Sequence, residues 1–318
     1  MVREYFESHL SPLLANVFPR ITARRSFQAR ETVYRAMLKY ARAGGYADED
    51  CSELAKSRWQ TQTDAGATEE NIARLETAVN VGVLSNTVPS TFWTIFEVLS
   101  DPDLLEAVRA EIRSNAMEVD PATKVHAIDL SRIRAGCPTL VSAFQEVLRV
   151  HSNGAPTRMV YEDILLDDRY LLKAGSVLQL PAPAINGDGS QWGSDPKKFD
   201  HTRFQAREQQ INARGTVHLK PRATSYMSFG ASPNLCPGRH FAAAEILSLV
   251  AMLVMRVDIT PTKGEWWVPR LNSWAVAASM TPPVEDYPVL IRQRPEYEGV
   301  EWTFTVSGFK DKFELITG

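Results

Sequence analysis

Phe229-Gly230-Ala231-Ser232-Pro233-Asn234-Leu235-Cys236-Pro237-Gly238-Arg239-His240-Phe241-Ala242 sets one cysteine between a turn-rich loop and an apolar stretch. Ser232-Pro233-Asn234 is a turn cluster. Pro237 suits the first position of a helix, where its missing N–H costs nothing. Gly238 lets backbone and a flat ligand approach closely. On this reading the Cys236 sulfur lies at a helix N-terminus, where free N–H groups and the macrodipole stabilise a thiolate. Such a thiolate can be the axial ligand of haem iron. The same letters also write a plain Cys-Pro-Gly turn ahead of a core helix, so the rest of the chain has to decide.

The chain has 318 residues, which allows two domains or one large one. A hydrophobic content of 44% with 23% charged residues gives it a sizeable core. The net charge is −3, and no Lys/Arg cluster is interleaved with aromatics, which argues against nucleic acid as a partner. Cys51, Cys137 and Cys236 make no disulfide framework in a chain this long and point to a reducing, intracellular setting. Cys51 and Cys137 have no His or Cys neighbour at metal spacing and read as bland. Met1-Val2-Arg3-Glu4-Tyr5 shows no signal core or membrane anchor. The apolar run Ile246 to Met255, interrupted by Ser248, is too short to span a bilayer. The chain therefore reads as soluble.

The first half is helical in pattern. A basic amphipathic segment from Arg25 to Arg42 stops at Gly44-Gly45. Asn71 to Leu99 forms a long helix, with Phe92, Ile95, Phe96 and Leu99 on one face and Pro89 kinking it. Asp101-Pro102 starts another helix, with Leu104, Leu105, Val108 and Ile112 inward. Pro138 to Val150 carries Val141, Phe144 and Leu148 on one stripe. From Ile164 the pattern changes to short strands at Ile164–Leu166, Tyr170–Leu172 and Val177–Leu180, then a loop-rich stretch from Gly187 to Thr224. Beyond Cys236, residues Ile246, Leu249, Val250 and Leu253 mark a buried helix, and the chain alternates like a strand from Trp302.

Glu146-Val147-Leu148-Arg149 puts an acid and a base one helical turn apart. Glu106 and Arg109 have the same spacing, and most such pairs are solvated surface bridges worth about 0–1 kcal/mol. Context separates the two. The Glu146 helix is followed by strands, then Trp192-Gly193-Ser194-Asp195-Pro196, Phe199-Asp200-His201-Thr202-Arg203-Phe204, and finally Cys236. That order, Glu-x-x-Arg, Arg-Phe and Phe-Gly…Cys-Pro-Gly-Arg, resembles the C-terminal part of a cytochrome P450, from roughly Ser26 to Arg294. The resemblance implies a mainly α cytochrome P450 fold with a small β region, N-terminally truncated. One partial domain would cover 1–318, with a helical part to residue 160. Strands and a meander loop would occupy 161–228, the haem-thiolate loop and helix 229–256, and a β-rich substrate-bordering segment 257–318.

The same resemblance implies haem b as cofactor. Cys236 becomes the iron ligand, Phe229 shields its sulfur, Gly238 admits the haem, and Arg158 and Arg239 neutralise propionates. Glu146, Arg149 and Arg203 become a buried charge triad. Asn153 to Thr157 and Ser273 to Met280 match segments that border substrate. Two departures stand out in the loop: Ser232 replaces the usual Gly, and Asn234 replaces the usual propionate-binding basic residue. In the long helix, Ser85 and Asn86 stand where most members have an acid and a threonine above the iron. Asn86-Thr87, followed by Pro89 and Phe92-Trp93, is similar to the branch holding cholesterol 7α-hydroxylase and prostacyclin synthase. Ser85, Asn86 and Thr87 would line the oxygen side. An amide can order a water but cannot act as an acid. The plainer alternative for Asn86 is a helix-kink residue bonding its own backbone beside Pro89.

The activity implied is oxygen insertion into an apolar, sterol- or terpenoid-like molecule in secondary metabolism, as in fungal members. Electrons would come from NADPH through NADPH–cytochrome P450 reductase. The family's usual place is the endoplasmic reticulum membrane, although this chain carries no anchor. One alternative is a haem-thiolate isomerase or dehydratase that needs no reductase. Another is a truncated, non-enzymatic haem-binding remnant. Gly187-Asp188-Gly189 is a weak dinucleotide-loop echo, no His pair has zinc spacing, and the six histidines read as surface residues, with His240 nearest the cysteine.

Overall fold

A computed structural model describes residue 13 and residues 16–205, 225–272 and 278–307. The chain divides into two compact units, Met1–Asn86 with Asn272–Ala278, and Thr87–Leu271 with Ser279–Gly318.

In the first unit a short α1 (Pro19–Thr22) precedes α2 (Arg24–Arg42). Gly44 follows α2 at φ 76°, the left-handed conformation that ends helices and that glycine adopts without strain. The next helix, α3 (Glu53–Asp64), begins at Ser52, whose hydroxyl accepts from the Ala55 N–H. None of its residues is buried, so it leaves no apolar stripe to be read. The long helix is α4 (Glu69–Ser100). Thr68 starts it by accepting from the Asn71 N–H, and Glu69 and Glu70 complement the dipole. Pro89 lies inside α4 without ending it, although it has no N–H to give the carbonyl four residues back. The hydroxyls of Thr77, Thr91 and Thr94 each donate to the carbonyl four residues earlier, at 2.7–2.8 Å.

Beyond Asn86, α4 belongs to the second unit. There Phe96 and Leu99 are buried and Phe92 and Ile95 partly so, while the wholly buried Trp93 and Val98 widen the stripe. Asp101 caps α5 (Pro102–Glu111) by accepting from the Asp103 and Leu104 N–H groups. Leu104, Val108 and Ile112 are buried behind it. Next come β1 (Met117–Val119) and β2 (His126–Asp129), antiparallel, then α6 (Leu130–Gly136) and α7 (Pro138–His151). Two small antiparallel pairs follow. Strand β3 (Thr157–Met159) pairs with β6 (Val177–Gln179), and between them β4 (Ile164–Leu166) pairs with β5 (Tyr170–Leu172). Short α8 (Ala182–Asn186) and α9 (Gly189–Trp192) lead into the meander. A tiny hairpin, β7 (Gly230–Ala231) and β8 (Asn234–Leu235), precedes α10 (Arg239–Arg256). Strands β9 (Val257–Pro261) and β10 (Val289–Gln293) pair antiparallel, and β11 (Trp302–Thr305) joins β2 in parallel, Trp302 opposite His126.

The core of this unit lies among the second half of α4, α5, α7 and α10. Two expectations need correction. Leu249 is 49% exposed, because α10 buries Ala243, Leu247, Val250, Ala251 and Val254 and so turns Leu249 outward. Pro237 is not the first helical residue: Pro237-Gly238 form a turn, Gly238 is the cap, and α10 starts at Arg239. Among the described residues, no helix is long and apolar enough to cross a membrane.

Candidate functional site

Helix α7 is buried along nearly its whole length, with Phe144, Val147 and Leu148 in the core. Glu146 on this helix is completely buried and takes four hydrogen bonds. Arg149 donates through Nε to Oε2 and through Nη2 to Oε1, each at 2.7 Å. Arg203 donates through Nε at 3.0 Å and the Asp200 N–H at 3.1 Å. Burying the Glu146 carboxylate and the Arg149 guanidinium is tolerable because further hydrogen bonds satisfy them. Arg149 Nη1 donates to Asn186 O at 2.5 Å and to Pro196 O, and its guanidinium lies 4.9 Å from the Trp192 ring centre. Arg203 Nη1 donates to Trp192 O at 2.6 Å. Glu146, Arg149 and Arg203 thus lie in one cluster.

The meander end and the cysteine loop are fastened to α7 and α8. Tyr226 donates to Gln145 O, and burial pushes its phenol up from the ordinary range. Met227 N–H donates to Asn186 Oδ1, and Ser228 Oγ donates to Leu148 O at 2.9 Å. The hairpin then closes with the Cys236 N–H donating to Phe229 O at 2.8 Å. Gly230 sits at φ 90°, and a Cβ there would lie 3.1 Å from Asn234 O, so this turn needs glycine. The Phe229 ring is partly buried against the core. Cys236 is exposed, and a Cβ on Gly238 would meet only its Sγ, at 4.0 Å. The thiol and the backbone after it therefore offer an open face.

Two cations flank this loop. Arg158 on β3 is no free surface arginine: Nη2 donates to Ala231 O at 2.5 Å. Arg239 Nη1 donates to Cys236 O at 3.0 Å, while its buried Nε has no partner among the described residues. An orphaned guanidinium N–H beside an exposed thiol fits the carboxylate edge of a haem, so the donor set suits that group.

Ser85 is buried and Asn86 and Thr87 half-buried within α4. Asn153 to Thr157 connects α7 to β3, whereas Ser273 to Ala277 lies outside the described residues. Several bland expectations change. Arg109 is buried, donating to Val254 O and Val257 O and pairing with Asp258, because it sits where α5 meets the end of α10. His151 is not a surface residue: its ring stacks on Trp93, 4.0 Å between centres. Gly187-Asp188-Gly189 holds no dinucleotide loop. Asp188 caps α9, and a Cβ at Gly187 would lie 2.7 Å from Pro183 O. No cluster of metal-ligating side chains exists among the described residues. Sequence reasoning missed the Asp200 N–H, Asn186 and Trp192 as partners of the triad, since no spacing signal marks them.

The structure thus holds a buried Glu–Arg–Arg cluster and a hairpin that presents one open cysteine. The family model for cytochrome P450 matches residues 28–287. The chain belongs to the cytochrome P450 family. It is 41% identical to the cytochrome P450 monooxygenase nodJ of Hypoxylon pulicicidum, over 98% of this chain and 61% of that one. It is 28% identical to a cytochrome P450 monooxygenase of Gibberella zeae, over 95% and 58%. To the cholesterol 7-alpha-monooxygenase of Cricetulus griseus it is 25% identical, over 64% and 41%. The chain thus spans at most 61% of the length of these relatives.

Proposed function

We propose that the chain carries the haem-thiolate centre of a monooxygenase that oxidises an apolar small molecule, with Cys236 as the iron ligand. The observation that carries this reading is the open Cys236 thiol at the end of a hairpin fastened to α7 through Ser228 and, across from β3, through Arg158. Haem bound there supplies the oxygen activation by which the family inserts one oxygen atom into a C–H bond. The Cys236 N–H, held by Phe229 O, and the Gly238 backbone keep the thiol facing outward. Arg239 has an N–H to give a propionate, and Arg158 adds a cation that already reaches the carbonyls of Thr157, Ala231 and Ser232. None of Ser85, Asn86 and Thr87 is an acid that could hand on a proton. Electrons come from NADPH through a reductase. A relative named for cholesterol makes a sterol-sized substrate the first to screen.

The test is the reduced, carbon-monoxide difference spectrum of the chain supplied with haem. A red-shifted Soret band that disappears in Cys236→Ala is expected. A band that survives Cys236→Ala refutes the ligand assignment. Ser85-Asn86 in place of an acid and a threonine favours a second reading, a haem-thiolate isomerase. Turnover without NADPH and reductase would select it.

A further inference from the structure

Helix α7 ends on His151, and the chain leaves it as a strap, residues 152–158, whose last residue grips the Cys236 hairpin through Arg158. Backbone bonds hold the strap's start. The Asn153 N–H donates to Ser279 O at 2.7 Å, Ser152 bridges Met280 antiparallel, and the Thr281 N–H donates to His151 O at 3.3 Å. Residues 151–153 and 279–281 therefore form a three-rung ladder. Gly154 lies so close to it that a Cβ would stand 3.0 Å from Ser279 Oγ.

This ladder is tied to α4 by one cluster. Trp93, wholly buried, donates its indole N–H to Thr281 O at 2.7 Å. The His151 ring lies flat on the Trp93 ring, and its Nε2 meets Glu97 Oε1 at 3.3 Å. A buried indole N–H needs its acceptor and the carbonyl needs its donor, so the ladder has one favoured position along α4.

We infer that Trp93 and His151 are positioning residues, which set the strap and through it the room beside Cys236. The inference deepens the haem-thiolate reading, and only its ligand arm rests on that reading.

Hydrogen exchange on the chain, with and without haem, tests placement. In Trp93→Phe, amides of residues 152–158 and 279–281 should exchange about tenfold faster, while those of α10 stay within twofold. His151→Phe keeps the stacked ring and should exchange close to the parent, whereas His151→Ala should follow Trp93→Phe. If Trp93→Phe does not fold, the two His151 variants carry the same comparison. Soret titrations of the haem-loaded chain add a readout that general loosening does not mimic. Imidazole affinity should stay within twofold, and 4-phenylimidazole affinity should change by about fivefold or more. Unchanged exchange in the strap, or equal weakening of both ligands, overturns the inference. A parent chain without a Soret band would sink the haem reading and leave the exchange comparison to decide this one.

Discussion

Glu146→Ala offers the sharpest test of the charge cluster, because Glu106 and Arg109 repeat its spacing in another setting. Removing the Glu146 carboxylate takes two short bonds from Arg149, one from Arg203 and one from the Asp200 N–H. Arg149 keeps only neutral carbonyl partners and is 1% exposed, so its charge stays buried without a counter-ion. Such a loss costs about 3–5 kcal/mol, a large share of the about 5–15 kcal/mol that holds a domain folded. Glu106 is 66% exposed, and Arg109 retains Asp258 at 2.6 Å and two carbonyls when Glu106 is removed. Glu106→Ala should therefore cost about 1 kcal/mol or less. Urea unfolding followed by far-ultraviolet circular dichroism at neutral pH compares the two. If both variants lose the same stability, the claim that burial rather than spacing makes the Glu146 cluster is wrong.

Other outcomes follow from single environments. Burial first, and the Glu111 carboxylate second, push the Cys137 thiol from 9.0 up to about 12. The unfolded chain releases this proton near pH 9 and the folded chain holds it to about pH 12. The contribution is thus complete below pH 9 and lost between 9 and 12, at about 1.4 kcal/mol per pH unit. Urea midpoints measured from pH 8 to 11 should fall, and less steeply in Cys137→Ala. Mass spectrometry after brief native alkylation should find Cys236 modified and Cys137 intact, since the first is exposed and the second buried. Asp101→Ala removes the acceptor for the Asp103 and Leu104 N–H groups and should cost about 1 kcal/mol in the same unfolding assay. Gly187→Ala drives a Cβ into the Pro183 carbonyl and should cost about 1–3 kcal/mol; a neutral result would mean that the α8 turn moves freely.

Much of the helical frame was legible because it is periodic. The stripe on α7 and the Gly44 stop of α2 follow from spacing and backbone preference alone. Helix α3 was not legible, since it buries nothing, and β1, β2, β9 and β10 were not read as strands, although β9 alternates in burial. At the site, the side-chain ions could be anticipated from their order along the chain. The backbone groups that complete their shells could not, because every residue carries an N–H and a C=O and only folding selects which are used. The Asp200 N–H on Glu146 and the Thr281 carbonyl on Trp93 are of that kind. Leu249 shows the opposite failure, where an apolar letter at a helical interval still faced outward once its neighbours had chosen the core.

Arg149 gathers the carbonyls of Asn186, Pro196 and Lys198, while Asn186 Nδ2 returns a bond to the Arg149 carbonyl. Much of the chain between these points is irregular, so one guanidinium fork does there what a ladder of strand bonds does elsewhere. A lysine has neither the reach nor the planar fan of five N–H groups to replace it. Substitutions within these coils are expected to speed unfolding and to leave the rate of folding nearly untouched, as they would if the coils settle only after α7 has delivered its arginine.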